Sequence, residues 1–232
     1  MPYVEMRGNI FNANADALVN TINCVGAMGK GIALEFRRRF PDMFAEYQRL
    51  CEARQIRPGQ IWPYTKSRPA VLNFAIKDDW HLPSRVEWIE ECLVKFVNNR
   101  HRLAFKSVAF PWMGAMNGGI PIDVIKALMR THLAAVSDVD IAVYEFDPDA
   151  SDPLFRRLED AVAAMPCTDF AAAAHVAKRT AAAIYAAMEN HPTSLFRLME
   201  AANLGISTAD KLYAFLVTPP PLAQTRDLFT TP

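Results

Sequence analysis

The chain has 232 residues, 51% apolar and 22% charged, with 25 basic and 25 acidic side chains and a formal net charge of zero. That composition argues against disorder and shows no overall polyanion-binding charge, although a local basic patch can hide in a zero sum. Four cysteines (Cys24, Cys51, Cys92, Cys167) fall without C-x-x-C spacing, which reads as reduced thiols in a soluble cytoplasmic protein, with no disulfide frame and no metal site.

The opening residues MPYVEMRG lack a basic segment followed by an apolar run, and no apolar stretch reaches the roughly 20 residues a bilayer span needs. Neither a signal peptide nor a membrane association is expected.

In chain order, YVEM predicts a short strand and ADALVNTIN a buried one, Ala17 to Thr21. GIALEFRRRF predicts a helix that Pro41 and Asp42 restart over PDMFAEYQRLCEARQ, with Arg37, Arg38 and Arg39 on a solvated face. GQIWPY and AVLNFAI read as strands. PSRVEWIEECLVKFVNNR predicts an amphipathic helix with Val86, Ile89, Leu93, Phe96 and Val97 on one face. Ser84 or Pro83 opens it, and Glu87 completes a capping box. SVAFPW is a strand, IDVIKALMRTHLAAV a helix and DIAVYEF a strand. The alternation predicts a layered α/β fold with helices on both faces of the sheet.

Eight of the nine glycines precede residue 120, and alanine dominates after residue 150. FDPDASDP, 146–153, is the expected boundary. The organisation expected is an α/β domain over 1–148, a small all-α region over 152–218 and an extended tail over 219–232. Helices are expected near 153–165, 169–190, 193–203 and 208–217, with Gly205 at a helix C-terminus and Ser207 and Asp210 in a capping box. No internal repeat stands out. The helical region reads as a stabilising or dimerising bundle, as a module that engages a toxin, or as a helix-turn-helix over LMEAANLGISTADKLYAF.

NCVGAMGKGIALEF packs Gly26, Gly29 and Gly31 between a buried strand and a helix. Such a turn can present backbone N–H groups to an anion, or serve only as a tight turn. It is not a P-loop, because Lys30 is followed by Gly31 and not by Ser or Thr. FPWMGAMNGGIP, 110–121, is a second glycine loop after a buried strand. Two such loops facing one crevice suit a diphosphate between two riboses.

GNIFNANADALVNTINCVGAMGKGIA resembles the opening of a macrodomain, and FPWMGAMNGGI resembles the second, diphosphate-gripping loop of that family. NFAIKDDWHLPSRVEWIEECL resembles the DarG branch in particular, with a lysine ending a strand, a Trp three residues on, then P-S-R and an amphipathic helix. The resemblance spans residues 3–146 and implies a three-layer α/β/α fold with a central mixed sheet, and ADP-ribose as ligand. It implies Asn9 and Ile10 at the adenine end, where an aspartate is usual at the first position, and Asn23 near the distal ribose. Gly29, Lys30, Gly31 and Ile32 are implied to wrap the diphosphate from one side, and Gly114, Ala115, Met116, Asn117 and Gly118 to close over it from the other. Glycine is usual where Met116 stands, so a narrowed cleft or a changed backbone angle is expected there.

By the same resemblance Lys77 is the catalytic residue, acting by attack on, or proton transfer at, the anomeric carbon of the distal ribose. An amine of ordinary pKa must be desolvated or placed near another cation to do this at neutral pH. The implied activity is removal of ADP-ribose from thymidine of single-stranded DNA, reversing a DarT-type toxin that is also a candidate partner. No cofactor is implied. Trp80, His81 and Arg85 are candidate DNA contacts; Trp80 reads equally as a half-buried indole. The alternatives are a non-catalytic ADP-ribose-binding module and the removal of ADP-ribose from protein carboxylates.

Overall fold

The structure is a computed structural model and describes residues 3–218. Six strands form where apolar β-branched and aromatic residues concentrate: β1 (Tyr3–Gly8), β2 (Ala17–Ile22), β3 (Ile61–Tyr64), β4 (Ala70–Ala75), β5 (Ser107–Pro111) and β6 (Asp140–Phe146). They make one mixed sheet in the order β1-β6-β5-β2-β4-β3. Every neighbouring pair is parallel except β3 with β4.

The two-residue period of a strand divides the apolar side chains between two faces. Ala17 and Val19 of β2, with Ala70, Leu72 and Phe74 of β4, meet α3 (Val86–Asn99) and α4 (Ile122–Leu133). Leu18 and Ile22, with Val71 and Ala75, meet α1 (Gly31–Arg39) and α2 (Pro41–Glu52). Phe110 stands edge-on to both Phe74 and Phe96, with centroids 5.9 and 5.2 Å apart. The result is the three-layer α/β/α arrangement with a mixed sheet that the alternation and the family resemblance predict.

Two local expectations fail. Ser84 does not cap α3: the helix begins at Val86 after Arg85, with no side-chain cap. Ser84 lies further upstream, buried, and its N–H donates to the Gly118 carbonyl at 2.9 Å. Nor are the arginines of α1 a solvated face. The Arg38 and Arg39 side chains are 6% and 8% exposed. Both pair with Glu35, Arg39 also pairs with the buried Asp152, and the Arg39 guanidinium lies 4.1 Å from the Phe11 ring centroid. Asn9 Nδ2 donates to the same Asp152 carboxylate at 3.1 Å, and Asn12 Nδ2 donates to the Ser151 carbonyl at 2.6 Å. A basic helix edge is thus covered by the boundary segment, which sequence spacing does not show.

The backbone divides into two compact units at Pro153 and Leu154. The second contains α5 (Pro153–Ala164, from Leu154 on), α6 (Cys167–Ala173), α7 (Lys178–Met188), α8 (Leu195–Ala201) and α9 (Ile206–Val217) around a core that includes Leu158, Phe170, Ile184, Leu198 and Leu212. The expected helix over 169–190 is two helices, because His175 turns the chain in the left-handed region at φ +51°. Gly205 does not end a helix; Asn203 takes the left-handed turn at φ +48°, and Gly205 precedes α9. No Ser207 capping box forms, since α9 already begins at Ile206 without a side-chain cap. The tail expected over 219–232 lies outside the described residues.

The helical unit also contains a repeat. The pair α6 and α7 recurs as α8 and α9, with both starts displaced by 28 residues. Identity between the copies is confined to Ala173/Ala201, Ala174/Ala202, Thr180/Thr208, Ala181/Ala209, Tyr185/Tyr213 and Ala186/Ala214, too little to stand out in an alanine-rich stretch.

Breaking one side of a buried ion pair leaves a stranded charge, at a cost of about 3–5 kcal/mol. Asp152→Ala is therefore expected to lower the unfolding free energy of the α/β unit by roughly that amount. Chemical denaturation measures it, and a loss well below 1 kcal/mol would mean that the Arg39 pair holds nothing in place.

Candidate functional site

Strands β5, β2 and β4 are adjacent and parallel, so their carboxyl ends release three loops along one stretch of the sheet edge. An open α/β sheet places its ligand crevice at such a position. The loops are 23–30 after β2, 76–85 after β4 and 112–121 after β5.

The first loop is built around Asn23, which is buried. Its Oδ1 accepts from the N–H groups of Val25 (3.0 Å) and Ala27 (3.3 Å), and its Nδ2 donates to the Ala27 carbonyl at 2.6 Å. The Tyr47 hydroxyl donates to Asn23 O and Oδ1 at 2.8 and 2.9 Å. Most of the polar capacity of Asn23 therefore goes into shaping the loop. Gly29 and Lys30 are exposed, and α1 starts at Gly31, whose φ of +56° suits glycine. No side chain caps that end. The first N–H groups of the helix, those of Gly31 and Ile32 among them, point outward with the positive end of the helix dipole.

The second loop closes on itself. The Gly114 carbonyl accepts from Ile120 N at 3.2 Å, and Gly114 has φ +77°. A Cβ on Gly118 would collide with the Gly114 backbone. Ala115 packs against the core, whereas Met116 is 77% exposed and has no left-handed backbone angle. The side chain expected to narrow the cleft points instead to solvent, and its backbone has no need of glycine.

Asn117 ties the loops together. Its carbonyl accepts from Lys77 Nζ at 2.6 Å. Its carboxamide lies so close to Gly31 that a Cβ there would strike Nδ2. Cys24 N donates to the Asp78 carbonyl at 2.9 Å, and the Cys24 thiol donates to the Lys77 carbonyl at 3.3 Å. Gly31, Lys77, Asn117, Gly114 and Gly118 thus form one cluster drawn from three loops. Burial lowers the pKa of Lys77 below that of an ordinary lysine. Burial, with the nearby Asp78 charge, pushes the Cys24 thiol up to about 12, so it is not a thiolate nucleophile at neutral pH.

The segment between Lys77 and Ser84 is fixed at both ends to the second loop, through Asn117 O and Gly118 O. It carries Trp80, 52% exposed, whose ring stacks on His81 with centroids 3.3 Å apart. His81 Nδ1 lies 2.8 Å from Asp79 Oδ1. The His81 backbone N–H and ring hold the Asp79 carboxyl below the usual carboxylate range. Arg85 is exposed, with its guanidinium 4.8 Å from the Trp88 ring centroid.

Asn9 and Ile10 are set apart from this cluster. Asn9 Oδ1 accepts from Phe11 N at 3.0 Å, and Ile10 is buried in the apolar cluster that contains Met28 and Phe36. Sequence reasoning missed Tyr47, Cys24 and Asp152, and gave Ser84 a different role. Only Ser84 carried a signal, its place in P-S-R. Tyr47 lies 24 residues from the asparagine it holds. Among the described residues no three His, Cys, Asp or Glu side chains gather as a metal site, and no helix is long and apolar enough to cross a membrane.

Residues 19–129 match the family described as Macro domain. A DNA ADP-ribosyl glycohydrolase of Thermus aquaticus is 42% identical over 144 residues, 60% of this chain and 40% of that protein. The solved macrodomain of Thermus aquaticus DarG superposes with a TM-score of 0.58 at 41% identity, covering 62% of this chain and 97% of that one. A DNA ADP-ribosyl transferase-DNA ADP-ribosyl glycohydrolase fusion protein of Thermosipho africanus is 26% identical over 176 residues, 67% of this chain and 43% of the fusion. The chain thus spans about two fifths of these two curated relatives. Its α/β unit has the sheet, the paired glycine loops and the strand-end lysine together, and matches a DarG macrodomain over nearly that domain's whole length. The chain belongs to the macro domain family, in its DarG branch.

Proposed function

We propose that the protein is a DNA ADP-ribosyl glycohydrolase in which Lys77 acts at the anomeric carbon of the distal ribose. The observation that carries this reading is the placement of the Lys77 amine, 2.6 Å from the Asn117 carbonyl between the two glycine loops and with a pKa lowered by burial. The diphosphate of ADP-ribose lies against the main-chain N–H groups of Gly29, Lys30, Gly31 and Ile32 on one side. Those of Ala115, Met116, Asn117 and Gly118 face it from the other. To admit it, the Asn117 side chain moves off Gly31. Asn9 and Ile10, beside Asp152, border the adenine end, and Asn23 sets the loop shape near the distal ribose.

The reaction breaks the bond between the anomeric carbon and the base nitrogen. The electron pair leaves with the base, which takes up a proton, and water ultimately supplies the hydroxyl at the anomeric carbon. A buried amine with a lowered pKa holds a larger neutral fraction at neutral pH and can either attack or relay the proton. The thymidine substrate puts a base beyond Lys77, where Trp80 and His81 offer a stacking surface and Arg85 a cation for a neighbouring phosphate. A toxin of the DarT type is the enzyme whose mark is reversed; the Thermosipho relative, named for both activities, supports such a pairing.

Three outcomes follow for Lys77, the second loop and pH. Lys77→Arg keeps the charge but not a deprotonatable amine, and is expected to release ADP-ribose from a thymidine-ADP-ribosylated oligonucleotide about 10²-fold more slowly or worse, while calorimetry shows ADP-ribose still binding. Equal turnover by the variant would remove Lys77 from the chemistry. Below the lowered pKa the amine is protonated and idle, so log kcat/KM of the parent chain is expected to rise with pH and level off below about 10.4, the value of a free lysine. A rate that instead falls across that range would assign Lys77 the part of an acid.

Gly118→Ala, whose Cβ strikes the Gly114 backbone, is expected to weaken ADP-ribose binding at least about tenfold, and Met116→Gly to change it less than about threefold. The reverse ranking by calorimetry would show that the exposed methionine, not the loop backbone, governs the cleft.

A further inference from the structure

The two helical hairpins of the second unit agree beyond their boundaries. In the first, Ala174 N donates to Phe170 O, His175 N to Ala172 O and Val176 N to Ala171 O. In the second, Ala202 N donates to Leu198 O, Asn203 N to Glu200 O and Leu204 N to Met199 O, each bond displaced by the same 28 residues. His175 and Asn203 hold the same left-handed turn, at φ +51° and +48°. The apolar positions correspond as well. Phe170 and Leu198 anchor the first helices, Val176 and Leu204 the turns, and Ala181 with Ile184, and Ala209 with Leu212, the second helices. A short helix, a tight turn with one left-handed residue and a longer second helix packed on the first describe a helix-turn-helix.

In that motif the exposed N-terminal residues of the second helix enter the major groove of DNA. The copies differ at those positions. The first has Lys178 and Arg179, both exposed and in no ion pair among the described residues, whereas the second has Ile206 and Ser207. Since the hairpin forms with either pair, the two cations are not needed to build it. Beyond Arg179, α7 carries no acidic residue, and Ala182 and Ala186 continue its exposed face with side chains small enough for close approach to a groove. The positive end of the α7 dipole adds to the same field.

We propose that the helical unit is a duplex-DNA-binding element made of two tandem helix-turn-helix hairpins, with the first presenting Lys178 and Arg179 of α7 to the major groove. The element stands apart from the glycohydrolase reading: its ligand is double-stranded and unmodified, and neither reading depends on the other.

The test uses the full chain with Lys77→Ala, so that no turnover intervenes, and a pool of 24-base-pair duplexes with randomised centres. Selection is expected to enrich duplexes that bind at least about tenfold tighter than the starting pool. Lys178→Ala with Arg179→Ala is expected to lower that affinity at least about tenfold and to make the slope of log affinity against log salt shallower by about two. Ala182→Glu, one turn along the same face, is expected to weaken binding as well, with the helical content by circular dichroism and the ADP-ribose affinity unchanged. Failure to enrich any duplex, or a double variant with the parent's affinity and salt slope, overturns the proposal. A chain that captures a toxin protein through α7 but no duplex overturns it too.

Discussion

The structure depends on the adjacency of three parallel strands. With β5, β2 and β4 side by side, the loops after them leave the same stretch of sheet edge and have to share space. Asn117 turns that proximity into structure: one residue takes the Lys77 amine on its carbonyl and sets its carboxamide against Gly31. A lysine at the end of a buried strand would otherwise extend into water. Here it is held over a pair of main-chain cradles, and the partial burial that this requires is also what lowers its pKa.

The glycines of the two loops serve different ends. Gly31 lets a helix begin hard against the opposite loop, and Gly118 lets the second loop fold back across Gly114. A methyl group at either position meets a neighbour already in place. Met116 sits between the close-packed positions and escapes them because it faces outward. Around the loops, Tyr47, Cys24 and Ser84 bind backbone groups of residues that spacing arguments single out, so the cradle is set by the layers beneath it.

Much of this was legible in the sequence. The two-residue and 3.6-residue periods locate the strands and most helices, and glycine density marks both loops. Pro41 gives the break between α1 and α2 correctly because its ring acts locally. What was not legible depends on long-range contact. Arg38 and Arg39 lie on a helix edge that a segment more than a hundred residues later covers. Ser84 has the spacing of a cap but is drawn to a loop carbonyl. The duplicated hairpin escaped notice because helix packing preserves size and burial, while the identities that remain are mostly alanine.

The central claim is that the two loops clasp a diphosphate beside Lys77. Backbone amide NMR of the full chain, titrated with ADP-ribose, tests it most directly. The account predicts that the largest shifts fall on Gly29, Gly31, Ile32 and residues 115–118, with a clear change at Lys77 as its contact to Asn117 breaks. Shifts concentrated elsewhere, or none at millimolar ligand, would contradict it.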